Sequence, residues 1–484
     1  MSYRNFGIGL FTVLVSTTAL AQNYDGSGAP SFIPHTLEEA LATAYLTNPT
    51  LQQERANLRS TDEGVAQAHG GWRPTVTGNL GGNLNWTKNS SSYISQGADE
   101  KATKFHTTTV NSHALGYQAG ITVTQPIYQG GRTTASTHQA VNKVMAERAA
   151  LLSTEQQVFS KVVEAYVNVI EDQQVLQINI NNEKVLAEQV KATRQRYAVG
   201  EITRTDTAQA EASLAMARAQ RQNAEGALRQ AEATYMQVVG IAPAPNLKPP
   251  QPLVLPVKTE QEAIETAVSN NPDVIAALFT EASQKDAIQV AMAAIMPQIS
   301  ATGTYQRSNT SGKYPNYNNS QSLSLQMNVP FYQNGSEYSQ IRAARQQAQA
   351  AHRQVSIQRR QAMQSASTNW QQFQTAKAAI SSNRAAIAAN IVALAGVERQ
   401  VVVGTSTTLE MLQQQQTLLT SQQALIQNLG TLVTSSYGVA AAIGRLTAQD
   451  LKLNVPHYDY TAYYNAVKNR WWGISDYAQD QPGR

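Results

Sequence analysis

The sequence contains two long segments that each occur twice, in the same order. Residues 36–76 align with residues 259–299 without a gap, at a constant offset of 223 positions. Residues 126–240 align with residues 330–444 at an offset of 204 positions. The offset falls by 19 between the two segments, so the first copy contains the longer insertion at that point. A period of this size far exceeds the roughly 20–50 residues of solenoid repeats. It predicts two copies of one unit that itself contains several helices and strands.

The first residues have the pattern of a secretory signal peptide. Arg4 provides the positive start, residues 6–15 form a short apolar run, and Ala19-Leu20-Ala21 forms a small-residue cleavage site. No later segment approaches the run of about 20 apolar residues that a transmembrane helix requires. The sequence has no cysteine, which excludes disulfides, thiolate metal sites and an N-terminal lipid-modified cysteine. We therefore expect an exported chain without a helical membrane span.

The repeat and the proline content divide the chain into five parts. We predict a signal peptide at residues 1–21, a first repeat at 22–240 and a second repeat at 259–445. A proline-rich linker that cannot be helical joins the repeats at residues 241–258, and a C-terminal segment follows at 446–484. The formal net charge of +4 is too small to indicate nucleic-acid binding.

Most of each repeat is predicted to be helical. Proline is absent from residues 127–242 and 331–455, and both stretches are rich in alanine, glutamine and leucine. Apolar residues recur every seven positions in the second stretch, as in a coiled coil, at Phe373, Ile380, Ile387, Leu394 and Val401. The expected helices at 131–199 and 335–403 are each roughly 100 Å long, at about 1.5 Å per residue. Each ends at a glycine, and Thr203 or Ser406 can cap the helix that follows.

Between the helical stretches lie shorter segments in which apolar and polar residues alternate. We predict strands at 75–86 and 115–124 in the first repeat, and at 299–306 and 322–329 in the second. Tilted strands of about 8–12 residues can cross a membrane. Residues 87–114 are predicted to be a polar external loop that holds most of the extra 19 residues.

Four strands cannot close a barrel, for which about eight is the practical minimum. Two subunits would supply eight strands and a filled interior, whereas three would supply twelve and a possible lumen. The pattern therefore predicts an oligomeric membrane barrel.

These features together resemble the TolC family of outer-membrane channel proteins over nearly all of the mature chain. The resemblance is carried by duplicated Asn-Pro pairs, by a proline before each first strand, by two glycine-containing strand exits and by two helix turns. These are Asn48-Pro49, Asn271-Pro272, Pro74, Pro297, residues 126–131, 330–335, 197–200 and 402–405. An acid lies six residues after each turn glycine, at Asp206 and Glu410. Residues 446–472 resemble the C-terminus of the type I secretion members.

The resemblance implies a mainly α-helical fold with a membrane β-barrel. Three protomers would form a twelve-stranded barrel in the outer membrane of a Gram-negative bacterium and a twelve-helix α-barrel in the periplasm. The implied partners are a periplasmic adaptor protein, an inner-membrane ABC or proton-driven transporter, and outer-membrane lipid. The implied function is a passive export duct without enzymatic activity, cofactor or metal, serving type I protein secretion, multidrug efflux or both.

The same resemblance suggests which residues form the periplasmic entrance. By motif position, the acids that line the family's entrance correspond to Glu410 and to Gln413, which is uncharged here. The family often has an arginine where this chain has Ser406, and Thr405 replaces the Glu201 of the first repeat. Glu410 could instead be a solvated acid at a helix start, favoured by the helix dipole.

The adaptor is expected to dock on the two helix tips, at Val199, Gly200, Asp206, Val403 and Gly404. The simpler alternative is that each glycine only ends a helix.

Two other interpretations remain open from the sequence. One is a periplasmic coiled-coil adaptor or scaffold without a pore, although four amphipathic strands do not fit it. The other concerns His106 and His113, which share the predicted external loop and could bind a metal, although solvated loop histidines are commoner.

Overall fold

The computed structural model describes residues 33–96, 103–311 and 315–474, so the predicted signal peptide lies outside the described residues. The first half contains two short helices, a 3-10 turn, two strands and two long helices. These are α1 (Leu37–Thr47), α2 (Pro49–His69), the turn Gly70–Trp72, β1 (Thr75–Gln96), β2 (Thr103–Gln129), α3 (Arg132–Ala198) and α4 (Arg204–Val239).

The second half has the same order of elements. These are α5 (Glu260–Asn270), α6 (Pro272–Met292), the 3-10 turn Ala293–Ile295, β3 (Gln298–Ser311), β4 (Asn316–Asn328), α7 (Ser336–Val402) and α8 (Thr408–Ala442). A short helix, α9 (Ala462–Val467), follows. Residues 241–258 contain neither helix nor strand, because their prolines lack the donor that both require.

The Asn-Pro pairs begin helices and also join distant elements. The side chain of Asn48 accepts a hydrogen bond from the Thr50 amide (3.0 Å) and so caps α2, while Pro49 occupies the first helical turn. The Asn48 amide also donates to the Val238 carbonyl near the end of α4 (2.9 Å). Asn271 makes the corresponding bond to the carbonyl of Ala442 at the end of α8 (3.1 Å). Each pair therefore fastens the end of a long hairpin to a junction of short helices.

The long helices form two antiparallel hairpins, α3–α4 and α7–α8. α3 and α7 have 67 residues each, and they begin and end within one residue of the predicted bounds. The hairpins reverse at Gly200 (φ +79°) and Gly404 (φ +78°), a left-handed conformation that glycine adopts without strain.

By length and composition, α7 is the one helix among the described residues that could cross a membrane, which differs from the sequence expectation of no such segment. The most apolar 18-residue stretch of α7 is almost entirely exposed within the chain. This surface is therefore available to another helix.

The main core lies around the middle of α3, where α1, α4, α8 and the linker meet. Phe159 and Tyr166 are fully buried there. The Tyr166 hydroxyl lies within hydrogen-bond distance of the carbonyls of His35 (3.0 Å) and Lys248 (2.8 Å). The otherwise irregular linker is thus held to a rigid helix.

The segment after α8 packs across α1 and α2. The Tyr458 amide donates to the Tyr45 hydroxyl (3.0 Å), and the Tyr463 hydroxyl donates to the carboxylate of Glu63 (2.9 Å). Further along, the Lys468 carbonyl lies within hydrogen-bond distance of the His69 ring. The guanidinium of Arg73 donates to the Arg470 carbonyl. Residues 397 to 413 positions apart in sequence therefore form one interface.

The four strands form one antiparallel sheet in the order β1-β2-β3-β4. β1 and β2 are much longer than predicted, at 22 and 27 residues, compared with 14 and 13 for β3 and β4. The pairing of β2 with β3 begins at Leu115, so residues 85–96 and 103–114 pair only with each other and form a two-stranded ribbon.

The predicted external loop at 87–114 is therefore wrong for the residues that the structure describes. Serines and threonines, which indicate a loop by composition, face each other across the ribbon. Ser90 pairs with Thr109 (3.0 Å) and Ser92 with Thr107 (3.1 Å) through their hydroxyls. Cross-strand hydroxyl pairs of this kind stabilise a sheet, and threonine is favoured in strands.

Candidate functional site: the sheet face and the helix tips

One face of the sheet is apolar and exposed to solvent over residues 75–84 of β1 and the strands opposite. Its cross-strand pairs are Val76–Val123, Gly78–Ile121, Leu80–Ala119, Gly82–Tyr117 and Leu84–Leu115. On β4 the same face carries Leu323, Leu325 and Met327. Leu80 is 90% exposed and Leu323 is 86% exposed, so nothing in the chain covers them.

The opposite face of the sheet is polar or lacks side chains. Thr75 and Thr77 face Thr124 and Thr122, and Asn83 faces Gly116. Alternation of this kind, over about 9–11 residues of a tilted strand, is typical of a membrane β-sheet with one face towards lipid and one towards water. The outer edges of β1 and β4 have no partner strand among the described residues, so the sheet is open at both sides.

The first helix tip is a tight turn held by a capping box and an ion pair. Gly200 lies two residues after the end of α3, and Thr203 caps α4. The Asp206 amide donates to the Thr203 hydroxyl (3.3 Å), and the Thr203 amide donates back to the Asp206 carboxylate (3.0 Å). Arg196 and Glu201 form an ion pair (2.8 Å) across the turn, which lowers the pKa of Glu201.

The second helix tip has the same backbone and a different polar network. Thr407, and not the predicted Ser406, caps α8 and forms the capping box with Glu410. The Thr407 amide donates to the Glu410 carboxylate (3.1 Å), and the Ser406 hydroxyl donates to the same oxygen. These hydrogen bonds, first that from Ser406, lower the pKa of Glu410. In place of the ion pair, the Thr405 hydroxyl donates to the Gln400 carbonyl (3.3 Å).

The hydroxyl of Thr407 accepts from the Glu410 amide (3.2 Å), whereas the hydroxyl of Ser406 donates to the Glu410 carboxylate and caps no amide. The register of the repeat would have found the correct cap, since Thr407 corresponds to Thr203 at the offset of 204. Gln413 is exposed, one helical turn after Glu410 and therefore on the same side of α8.

All the predicted tip residues lie at the far ends of the two hairpins. Val199 is 79% exposed and Val403 is 72% exposed, so each turn presents an apolar side chain to solvent. The hairpins contact each other just behind the tips, where Leu412 of α8 is buried against Leu186 and Ala217. Leu412 was not predicted to take part, although its apolar side chain within the first turns of α8 was a usable signal.

The two predicted loop histidines do not form a metal site. His106 stacks on Tyr93 (5.6 Å between ring centres), and His113 lies edge-on to Trp86 (6.5 Å). The two histidines are seven positions apart along β2, an odd spacing, so they lie on opposite faces of the ribbon. Among the described residues there is no group of three or more potential metal ligands.

A polar groove of about 730 Å³ lies between α3, α7 and α8. Its floor includes Gly430 of α8, where a β-carbon would lie 2.8 Å from the Glu171 carboxylate. Burial, followed by the charge of Asp172, raises the pKa of Glu171. This groove was not predicted from the sequence, because its residues come from three separate helices.

Comparisons with known proteins agree with this architecture. Residues 40–241 and 263–445 match the family model described as outer membrane efflux protein. The chain is 34% identical over 463 residues to the outer membrane efflux protein BepC of Brucella suis, which covers 96% of this chain and 95% of the relative.

Solved structures of low sequence identity share the fold. The Campylobacter jejuni outer membrane channel CmeC has a TM-score of 0.72 at 15% identity, with 89% of each chain covered. The Vibrio cholerae outer membrane protein VceC has a TM-score of 0.70 at 17% identity, covering 84% of this chain and 96% of that one. With its family model matched in both halves, the chain belongs to the outer membrane efflux protein family and is a protein of the Gram-negative outer membrane.

Proposed function

We propose that the protein is the outer-membrane exit duct of a tripartite export system. It would conduct substrates passively from an inner-membrane transporter, through the periplasm, to the exterior. The observation that carries this proposal is the open four-stranded sheet, whose apolar face is exposed and which continues directly into two helical hairpins. Such a sheet needs lipid on its face and further strands at its edges.

A homotrimer satisfies both needs. Three copies would supply twelve strands, enough for a barrel with a lumen, and the polar face of the sheet would then line that lumen. The same three copies would supply twelve long helices. At about 1.5 Å per residue, the 67 residues of α7 extend roughly 100 Å, so the hairpins reach far into the periplasm. The exposed apolar surface of α7 is available for contact with a neighbouring protomer.

The helix tips would form the periplasmic entrance. Glu410 is exposed, and its lowered pKa keeps it ionised at neutral pH. Three copies around a narrow opening would focus a negative potential on the axis. Gln413, on the same side of α8, adds no charge, so the entrance would favour cations through Glu410 alone. Val199, Gly200, Val403 and Gly404 would present the small, partly apolar surface on which a periplasmic adaptor docks.

The entrance is tested by recording single channels of the purified protein in planar bilayers. Glu410→Gln removes the charge, while the amide oxygen can still accept the bonds of the capping box. We expect weaker block by multivalent cations than in the wild type. Asp206→Asn makes the same change at the first tip and should leave the block nearly unchanged. Equal block in the wild type and in Glu410→Gln would refute the ring of carboxylates.

The assembly is tested in cell fractions. Heat-modifiable trimers in the outer-membrane fraction are expected, and a soluble periplasmic protein without conductance would instead support the scaffold without a pore. The exposed apolar face of the sheet counts against that scaffold, because water would face Leu80 and Leu323. The cargo is either secreted protein or small molecules such as drugs, supplied by an ABC or a proton-driven transporter. Export assays with each class of transporter deleted in turn distinguish the two.

A further inference from the structure

A shallow cleft of about 480 Å³ lies on the apolar face of the sheet, at the end of β3 and β4 that is remote from the helices. Leu80, Tyr117, Arg307 and Asn309 line it. Gly82 faces Tyr117 across the strands and has no side chain to fill the space. The cleft is therefore a depression that forms because Gly82 lacks a side chain between larger neighbours. It opens on the side that would face lipid.

Arg307 is the cation of this cleft, and its orientation is fixed by an aromatic ring. Its guanidinium lies over the ring of Tyr317, 4.7 Å from the centre. Arg307 is exposed and forms no ion pair within the described residues. The sequences of the four strands contain no aspartate or glutamate. Asp99 and Glu100 follow β1 in the sequence and lie outside the described residues. The strands thus present a cation without a counter-ion.

The cleft lies where the apolar part of the sheet face ends. Below it on the same face are Tyr305 with Ile121, and then Leu323. Beside and beyond Arg307 the face becomes polar, with Asn319 paired to Arg307 and Asn309 paired to Tyr317.

On β1 the apolar residues continue further along the strand, to Leu84, and are followed by Trp86 and then Lys88. The upper limit of the apolar face therefore runs obliquely across the strands, as it must when strands are tilted in a membrane. Trp86 stands at that limit, where interfacial tryptophan is expected, and Lys88 lies just beyond it.

The strand ends remote from the helices are the extracellular ends, because the helices of this outer-membrane protein extend into the periplasm. Arg307 and Lys88 are therefore at the level of the outer-leaflet headgroups. The outer leaflet of a Gram-negative outer membrane is built of glycolipids that carry phosphate on their sugars. Guanidinium binds phosphate through paired, charge-assisted hydrogen bonds. The apolar face beneath Arg307 would contact the acyl chains of the same lipid.

We propose that this cleft binds a phosphorylated glycolipid of the outer leaflet, with Arg307 on the phosphate, Tyr117 and Tyr317 beside the sugar, and Leu80 against the acyl chains. Asn309 supplies a further hydrogen-bond donor. Lys88 extends the cationic surface above the neighbouring strands. The site is additional to the duct and would hold a defined lipid against the sheet.

The test uses the purified full-length protein in detergent, with lipid A as the probe. Binding is measured by native mass spectrometry and by titration with a fluorescent lipid A. Arg307→Gln should weaken binding about tenfold, the scale of one charge-assisted phosphate contact. Arg399→Gln removes an equal charge from the last turn of α7 and should bind lipid A as the wild type does. Conductance and the amount of assembled protein are measured alongside, because both should be unchanged in Arg307→Gln.

Two further probes separate the sources of affinity. Lipid A without phosphates should bind the wild type as weakly as complete lipid A binds Arg307→Gln. Phosphatidylglycerol, which has phosphate but no sugar, should bind more weakly than lipid A. Wild-type affinity in Arg307→Gln, or equal binding of the dephosphorylated probe, would overturn the proposal. A lost duct function with intact lipid A binding would refute the proposed export role and leave this site standing.

Discussion

Two buried tyrosines allow a test in which removal of the same atom has opposite effects. The rings of Tyr166 and Tyr235 are 6.3 Å apart in the main core, and both side chains are fully buried. The Tyr166 hydroxyl donates to the Lys248 carbonyl (2.8 Å) and also lies 3.0 Å from the His35 carbonyl, whereas the buried Tyr235 hydroxyl has no partner in the described structure. Burial is the main cause that raises the pKa of Tyr235 to about 12, so its hydroxyl is neutral at ordinary pH.

Tyr166→Phe leaves the Lys248 carbonyl without its donor and releases the linker from α3. The cost is about 1–3 kcal/mol, the usual range for a buried group that loses its partner. Tyr235→Phe removes a hydroxyl that already lacks a partner, and it should stabilise the protein by about 1 kcal/mol. An unfolding entropy of about 2 cal/mol/K per residue means that each kcal/mol moves the Tm of a chain of this length by about 1 °C.

The measurement is thermal unfolding in detergent, followed by far-UV circular dichroism at one protein concentration, because assembly contributes to Tm. We expect Tyr166→Phe to lower the Tm by about 1–3 °C. Tyr235→Phe should raise it by about 1 °C. If both variants lower the Tm equally, the hydroxyl of Tyr235 has a partner and the argument from hydrogen-bond satisfaction fails.

Three further substitutions test other parts of the structure. Gly444→Ala should lower the Tm more than Gly240→Ala. Both glycines have positive φ, but only a β-carbon at Gly444 would clash with backbone, 3.0 Å from the Asn270 carbonyl carbon. Equal shifts in Tm would contradict this geometry. Gly404→Arg should abolish export while the assembled protein remains. Gly404→Asn should still export, because asparagine tolerates the left-handed backbone. Normal export by Gly404→Arg would exclude docking at this tip. Burial raises the pKa of Asp62 to about 7, so the stability from its protonated form is present below about pH 4 and lost as the pH rises to 7. Asp62→Asn should therefore flatten the fall of the unfolding free energy over that range by up to about 1.4 kcal/mol per pH unit, which is about 1.4 °C of Tm per pH unit. An unchanged slope would show that Asp62 does not titrate there.

The helical part of the fold could be predicted from the sequence because single residues determine its limits. Glycine at 200 and 404 permits the left-handed turn, and the absence of proline permits uninterrupted helices between these points. The cap at Thr407 was missed because Ser406 is also a hydroxyl residue and lies next to it. Which of two adjacent hydroxyl residues is the cap can be decided only from side-chain geometry, here the hydrogen bond from Ser406 to Glu410.

The length of β1 and β2 could not be read from composition. Ser90, Ser92, Thr107 and Thr109 are equally compatible with a solvated loop and with a solvated ribbon. Only their pairing across the strands distinguishes the two. The lipid cleft likewise depends on register, because Arg307 and Tyr317 lie on different strands and meet diagonally.

The contact of residues 458–470 with α1 and α2 has a consequence for the time course of folding. Tyr458 lies 413 positions after its partner Tyr45, so ribosome and export machinery must deliver nearly the whole chain before the contact can form. Contacts of such long sequence separation form late, since the entropy of closing the intervening loop opposes them. Until then α2 retains an uncovered surface that a chaperone or protease can recognise. Only chains that have been synthesised through this segment can therefore finish packing their first half.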